Sequence, residues 1–198
     1  MEPVLSESSS PRTSRAVRIA IAVLGLLGVV QGLVSRPPAA QPRLFDERRF
    51  LLYANNLADR GFYGDEAGKW PATAELRSIG YSAYVAPGYP FFLATFKRVI
   101  GGYGLVRAAQ ALLAGATIAL TAWVGVRLFG PVGGLSAGLL LLATSVLATY
   151  SRLLLSEVLA TATLVAAVAV LVVAIGRRSW ALAFGAGAML GVSALVRS

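Results

Sequence analysis

The chain of 198 residues is too hydrophobic and too sparsely charged for an ordinary soluble domain. Apolar residues make up 57% of it and charged residues 14%, whereas soluble domains average about 45–50% and about 25%. Its formal charge of +9 comes from 18 Lys+Arg against 9 Asp+Glu. The basic residues are scattered between apolar runs and do not form one solvated face, which argues against a nucleic-acid partner. Composition therefore predicts a membrane protein.

The sequence contains no Cys and no His. These absences exclude disulfides, thiolate nucleophiles, Cys-ligated metals and catalysis by imidazole. Any chemistry must then use carboxylates, Lys or Arg, Tyr, or hydroxyl groups.

A polar tail and an apolar run come first in the chain. Residues 1–18 are rich in Ser and Arg and predict a disordered cytoplasmic tail. Residues 19–34 are apolar except for Gln31, and either a signal peptide or a first membrane span fits their length. An uncleaved span is preferred, because the basic region before it is long, no convincing A-x-A site follows, and more apolar segments come later.

Residues 35–103 predict a large external loop that holds most of the Pro, Tyr and charge. Within this loop, residues 46–60 predict a helix, because apolar side chains recur at helical spacing from Phe50 to Leu57. Gly61 follows where a helix C-cap glycine is expected.

A second short helix is predicted at the end of this loop. Residues 91–100 read as amphipathic, with Lys97 and Arg98 placed to snorkel at the membrane interface.

Four more apolar segments approach the roughly 20 residues needed to cross a bilayer of about 30 Å. They are residues 105–126, 135–148, 158–175 and 180–196. Three GxxxG spacings permit close helix packing: Gly28/Gly32, Gly134/Gly138 and Gly187/Gly191. The predicted fold class is an all-α polytopic membrane protein of about five transmembrane helices. Its large extracytoplasmic first loop carries short interfacial helices.

Basic residues in short loops predict the orientation of these spans. If the N-terminal arginines lie inside the cell, Arg127 and Arg177-Arg178 also fall inside. The first loop and the short connection 149–157 then lie together on the extracytoplasmic side. The predicted location is the cell (inner) membrane.

Glu157 is the only acid after Glu75, and it lies at the outer mouth of the fourth predicted span. An ionisable group at a span is costly and points to function by default. The alternative is a helix-start carboxylate stabilised by the helix dipole, or a partner for Arg152. The position of Glu157 alone does not decide between these readings.

Asp46 and Glu47 open the predicted loop helix. Local sequence favours Asp46 as a helix N-cap, whereas the topology favours a functional role, because it puts Asp46 on the same face of the membrane as Glu157. Paired carboxylates beside cations suit a transfer in which one carboxylate takes a proton from an acceptor hydroxyl and the cations stabilise a departing phosphate. The candidate cations are Arg48, Arg49, Lys97 and Arg152.

Several short segments together resemble a known family. They are Asp46-Glu47, Gly61-Phe62-Tyr63, Pro87-Gly88-Tyr89-Pro90, Arg127-Leu128-Phe129-Gly130 and Leu155-Ser156-Glu157. In order and spacing they resemble the N-terminal part of GT-C glycosyltransferases, from about residue 19 to the end. The closest group is that of the dolichyl-phosphate-mannose protein mannosyltransferases and aminoarabinose transferase-like enzymes. The most specific piece is the Pro-Gly-Tyr-Pro stretch followed by an apolar helix.

The resemblance implies a membrane glycosyltransferase, hexosyl or pentosyl, that moves a sugar from a polyprenyl-phosphate donor to an extracytoplasmic protein, lipid or glycan acceptor. Asp46 then matches the family's first-loop catalytic acid, and Glu157 matches a second acid that assists acceptor or donor placement. The predicted substrate-binding residues are Glu47 and Tyr89, which the resemblance implies, and the candidate cations Arg48, Arg49, Lys97 and Arg152. No metal ligand or required cofactor is predicted, and a divalent cation stays open.

Two alternatives stand beside this interpretation. Family members run to several hundred residues, so residues 19–198 are expected to form a C-terminally truncated GT-C-like domain, which could be inactive. The competing class is a non-catalytic membrane subunit or a transporter. A transporter should place polar groups near mid-span at broken helices, whereas the acids here lie at the outer boundary, which favours the enzyme.

Overall fold

The computed structural model describes residues 14–34, 45–64 and 85–197, and every regular element within those ranges is helical. The elements are α1 (Arg15–Val34), α2 (Phe45–Asn55) with the π-helical turn Asn56–Arg60 after it, α3 (Gly88–Ile100), α4 (Val106–Ala143), α5 (Val146–Ser151), α6 (Glu157–Arg177) and α7 (Trp180–Val196). The all-α prediction is thus confirmed for this part of the chain. Most of the predicted tail (residues 1–13) and the loop residues 35–44 and 65–84 lie outside the described residues.

The predicted loop helices are present with shifted bounds. The helix predicted over 46–60 is α2 plus its π-helical turn, and Gly61 ends it with a left-handed φ of 73°, as expected of a C-cap glycine. The helix predicted over 91–100 begins three residues earlier, at Gly88. Helix α1 likewise begins at Arg15, inside the predicted tail.

Helix α4 is a hairpin and not one straight rod. Gly130, which precedes a proline, has φ 80° and ψ 176°, values far from helical. A Cβ added to Gly134 would lie 2.5 Å from the carbonyl oxygen of Ala122. On a straight helix two residues twelve positions apart are separated by about 18 Å. The chain therefore reverses at Gly130, and the arms 106–129 and 131–143 correspond to the predicted second and third spans.

Three helices in the described ranges are long and apolar enough to cross a membrane, namely α1, α4 and α6, and α7 is a shorter apolar helix. Because α4 is folded on itself, its second arm, residues 131–143, rises only about 20 Å. The structure therefore supports a membrane-spanning helical fold. The five-helix topology, with α1, the two α4 arms, α6 and α7 as its members, stays a prediction.

Small residues allow the helices to approach closely. A Cβ on Gly115 would lie 2.5 Å from the carbonyl oxygen of Gly25, so α1 and the first α4 arm touch backbone to backbone. Two of the predicted GxxxG pairs, Gly28/Gly32 and Gly134/Gly138, contact a neighbouring helix in this way. Gly187 and Gly191 have nothing within 4 Å among the described atoms.

The helices run antiparallel, so their ends collect in two groups. Gly32 contacts Ala111 and Ser151, which brings the end of α1 to the start of α4 and the end of α5. Gly88 contacts Leu195, which brings the start of α3 to the end of α7. This group, which also holds α2 and the start of α6, is called the loop end below. The opposite end holds the turn at Gly130 and the α6–α7 turn.

Lys97 and Arg98, predicted to snorkel at the membrane interface, contact α2 and the π-helical turn that follows it. Lys97 Nζ donates to Asn55 Oδ1 at 2.8 Å and pairs with Asp59. Arg98 donates to the carbonyls of Leu57 and Ala58 within the π-helical turn. Helix ends leave carbonyls without intrahelical partners, so a cation on α3 joins α3 to α2 there.

Candidate active site

A cavity of about 490 Å³ opens at the loop end of the bundle. The first turn of α2, the start of α6 and the end of α7 surround it. Its lining residues are Asp46, Arg49, Phe50, Val85, Ser156, Glu157 and Arg197. The cavity thus brings together the two acids that the sequence singles out, although 110 residues of chain lie between them.

Asp46 lies in the first turn of α2, which begins at Phe45. It is therefore inside the helix and is not its N-cap. The side chain is exposed to the cavity mouth, and the positive end of the helix dipole stabilises a carboxylate at this position. The start of α2 therefore stabilises the Asp46 carboxylate, and the fold places that carboxylate at the cavity.

Glu157 is the first residue of α6, and its Oε2 atom is buried without a hydrogen-bond partner among the described residues. The helix start accounts for one favourable interaction with the charge. It does not account for the unsatisfied oxygen, because buried polar atoms in native proteins are nearly always hydrogen-bonded. An oxygen in this state, on a residue that lines a cavity, is suited to accept a hydrogen bond from a ligand.

Two arginines line the cavity with these acids. Arg49 is one of the predicted cations, whereas Arg197, directly after α7, is not among them. The signal for it existed: a basic residue directly follows the last apolar run. The predicted topology puts that end of the run on the same side as Glu157.

The cavity walls are fixed by aromatic contacts. The ring of Phe50 packs edge-on against Tyr89 with centroids 5.0 Å apart. The Tyr63 hydroxyl donates to the Val85 carbonyl, which joins the described segment 45–64 to the start of the described segment 85–197. These contacts position Phe50 and Val85, two of the lining residues of the cavity.

Tyr89, predicted to bind substrate, is buried behind that wall and is not among the lining residues of the cavity. Its hydroxyl accepts a hydrogen bond from Gln110 Nε2 at 3.0 Å, and the same nitrogen donates to the Leu155 carbonyl. Burial raises the pKa of the Tyr89 phenol well above its ordinary value, although the Gln110 hydrogen bond acts in the opposite direction. Tyr89 is therefore neutral, and it supports Phe50 and the residues before Glu157.

Glu47, predicted to bind substrate, is also buried and points away from the cavity. Only 2% of it is exposed, and its Oε1 accepts the backbone N–H of Leu154 at 3.1 Å. The carboxylate joins α2 to the connection between α5 and α6, so Glu47 fixes the distance between its neighbour Asp46 and Glu157.

Replacing Glu47 by Ala is expected to lower the free energy of unfolding by about 2 kcal/mol, because a buried N–H loses its charged acceptor. Thermal unfolding of the detergent-solubilised chain measures this effect. Glu47→Gln, which keeps an acceptor oxygen, should lose less stability. Equal losses for both variants would contradict the assignment of the Leu154 contact.

The structure separates the predicted basic cluster. Of its four members only Arg49 lines the cavity. Arg48 is exposed on α2, Lys97 joins α3 to α2, and Arg152 lines a second cavity described below. The positions of these side chains depend on long-range packing, which their spacing along the chain does not reveal.

The cavity offers two carboxylates to a cation. Among the described residues, no group of three or more Asp, Glu, His or Cys side chains comes together.

Comparison with known families gives a match over residues 84–198, which is more than half of the chain. The matching family is described as dolichyl-phosphate-mannose-protein mannosyltransferase. The matched range includes Tyr89, Arg152 and Glu157 and begins after Asp46. No curated protein and no solved structure matches the chain.

Proposed function

From the premise that the chain belongs to the dolichyl-phosphate-mannose-protein mannosyltransferase family, which is a family of GT-C membrane glycosyltransferases, we propose that it transfers a sugar from a polyprenyl-phosphate donor to a protein, lipid or glycan acceptor. One observation carries this proposal: Asp46 and Glu157 line the same cavity as Arg49 and Arg197. The cavity thus combines a proton acceptor with cations for a phosphate.

In the proposed reaction, Asp46 takes the proton of an acceptor hydroxyl. The acceptor oxygen forms a bond to the anomeric carbon of the sugar while the bond from that carbon to the lipid phosphate breaks. The electron pair of the broken bond leaves with the phosphate. Arg49 and Arg197 stabilise this developing charge, because charge-assisted hydrogen bonds from guanidinium groups to phosphate are strong and directional.

Glu157 has a binding role in this proposal. Its buried Oε2 atom accepts a hydrogen bond from a hydroxyl of the donor sugar or of the acceptor. Such a bond orients the substrate so that the hydroxyl and the anomeric carbon meet in line, which lowers the entropic part of the barrier.

The proposed setting is the cell (inner) membrane, with a cytoplasmic N-terminus and an extracytoplasmic cavity. Basic residues at the end of the bundle opposite the cavity support this orientation. They include Arg15 and Arg18 at the start of α1, Arg127 against the ring of Trp123 at 5.2 Å, and Arg177-Arg178. A lipid-linked donor reaches a cavity at the loop end from the outer leaflet.

The proposal is tested by incubating membranes that contain the full chain with polyprenyl-phosphate-linked sugars and measuring sugar in protein, lipid and glycan fractions. We expect transfer by the wild type. Glu157→Gln should transfer about 10- to 100-fold more slowly, because one charged hydrogen bond to substrate is lost. Absence of transfer by the wild type would contradict the catalytic proposal and favour a non-catalytic membrane subunit. An unchanged rate in Glu157→Gln would contradict the binding role of Glu157.

A further inference from the structure

A second cavity, of about 260 Å³, lies at the loop end between the end of α1, the start of α4 and the end of α5. Its lining residues are Gly32, Leu33, Gly104, Arg107, Ala108, Ser151 and Arg152. It shares no lining residue with the candidate active site. The connection from α5 to α6 separates the two, since Arg152 faces one cavity and Glu157 the other.

Both charged residues that line this second cavity are arginines, and no carboxylate is among its described lining residues. The Nε atom of Arg107 is buried and has no hydrogen-bond partner in the described part of the chain. Arg107 also lies in the first turn of α4, where the helix dipole disfavours a cation. The position of Arg107, with a buried Nε atom that has no partner among the described residues, therefore favours an anionic ligand in this cavity.

The surroundings of the second cavity are apolar. Leu33 and Val34 at the end of α1 are 55% and 75% exposed, and Leu105 before α4 is 54% exposed. Exposure of these apolar side chains to water would be unfavourable, but the acyl chains of membrane lipids can cover them. The geometry therefore joins a cationic cavity to a surface suited to hydrocarbon.

We propose that this second cavity binds the phosphate of a membrane phospholipid, with Arg107 and Arg152 as its ligands and the acyl chains along the end of α1. Guanidinium groups suit this role, because their planar donors match phosphate oxygens in a forked geometry. A bound phosphate contacts α1, α4 and α5 together. It therefore stabilises the fold at the loop end without taking part in sugar transfer.

The test uses the full chain purified in neutral detergent, with dioleoyl phosphatidylglycerol, dioleoylglycerol or inorganic phosphate added. Thermal unfolding reports stabilisation, and native mass spectrometry reports retained lipid. We expect phosphatidylglycerol to raise the unfolding midpoint and to remain bound, and dioleoylglycerol, which lacks the phosphate, to do neither. Arg107→Gln and Arg152→Gln should each weaken the apparent affinity for phosphatidylglycerol about tenfold.

Arg177→Gln is the matched control, because it removes the same charge from an exposed position at the opposite end of the bundle. It should bind lipid like the wild type. Arg107→Lys, which keeps the charge and loses the fork, should fall between wild type and Arg107→Gln, so the proposal stays testable if the Gln variant unfolds. Equal lipid binding in wild type and both Gln variants would overturn the proposal. Stabilisation by inorganic phosphate alone would overturn the lipid assignment.

Discussion

Asp46→Asn is expected to lower the rate of sugar transfer by about 10²- to 10⁴-fold, because an amide cannot take the proton of the acceptor hydroxyl. The substitution keeps the size of the side chain. Asp46 is exposed in the first turn of α2, so the loss of its interaction with the helix dipole should cost no more than about 1 kcal/mol of stability. The defect should therefore appear in the rate and hardly in the unfolding temperature.

Asp59→Asn is the matched control for this experiment. Asp59 lies in the π-helical turn after α2, is exposed, and pairs with Lys97 away from the cavity. Removing an exposed ion pair should change stability by less than about 1 kcal/mol, and transfer should continue. A rate for Asp46→Asn equal to that of Asp59→Asn would show that Asp46 is not the base.

Combining Asp46→Asn with Glu157→Gln tests whether the two acids act on one substrate. Because both line one cavity, the double variant should lose less than the product of the two single losses. Independent, multiplicative losses would indicate that Glu157 acts outside the reaction of Asp46.

The sequence predicts the helices well where apolar runs have clear ends. Helix α7 has the predicted bounds 180–196, and Gly61 ends the loop helix as expected. The reversal of α4 at Gly130 agrees with the two spans predicted over 105–126 and 135–148. The predicted end of the second of these spans is wrong, because the helix ends at Ala143 and a new short helix begins at Val146, which an uninterrupted apolar run does not reveal.

In the candidate site, the positions of the acids were predictable from the sequence and those of the basic residues were not. Topology and the scarcity of acids indicated that Asp46 and Glu157 lie on one side of the membrane, and the structure places both at one cavity. The basic residues were less predictable, because a long side chain selects its partner from whatever packs nearby. Lys97 binds Asn55, 42 positions away, and Arg197 enters the cavity from the last helix.

Gly134→Ala is expected to have the largest effect on stability of the substitutions considered for the helices. An added Cβ would lie 2.5 Å from the Ala122 carbonyl oxygen and closer still to the Val126 nitrogen. Backbone atoms cannot rotate away as a side chain can, so the arms of α4 must separate. We expect a loss at the upper end of about 1–3 kcal/mol, measured as a lower unfolding midpoint in detergent.

Gly187→Ala provides the control for this substitution, since a Cβ at Gly187 meets nothing within 4 Å among the described atoms. Alanine is the better helix former by about 1 kcal/mol, so this variant should be as stable as the wild type or more so. Equal destabilisation of both variants would attribute the effect to a general property of glycine and not to the hairpin contact.

A disulfide between the arms tests the hairpin directly, and the absence of native Cys makes its result unambiguous. A Cβ on Gly138 would lie 2.8 Å from the Ala122 Cβ, so Ala122→Cys with Gly138→Cys should crosslink on oxidation after a small adjustment. On a straight helix the same two positions would be about 24 Å apart and could not react within one chain. Failure to crosslink in a folded double variant would therefore contradict the reversal at Gly130.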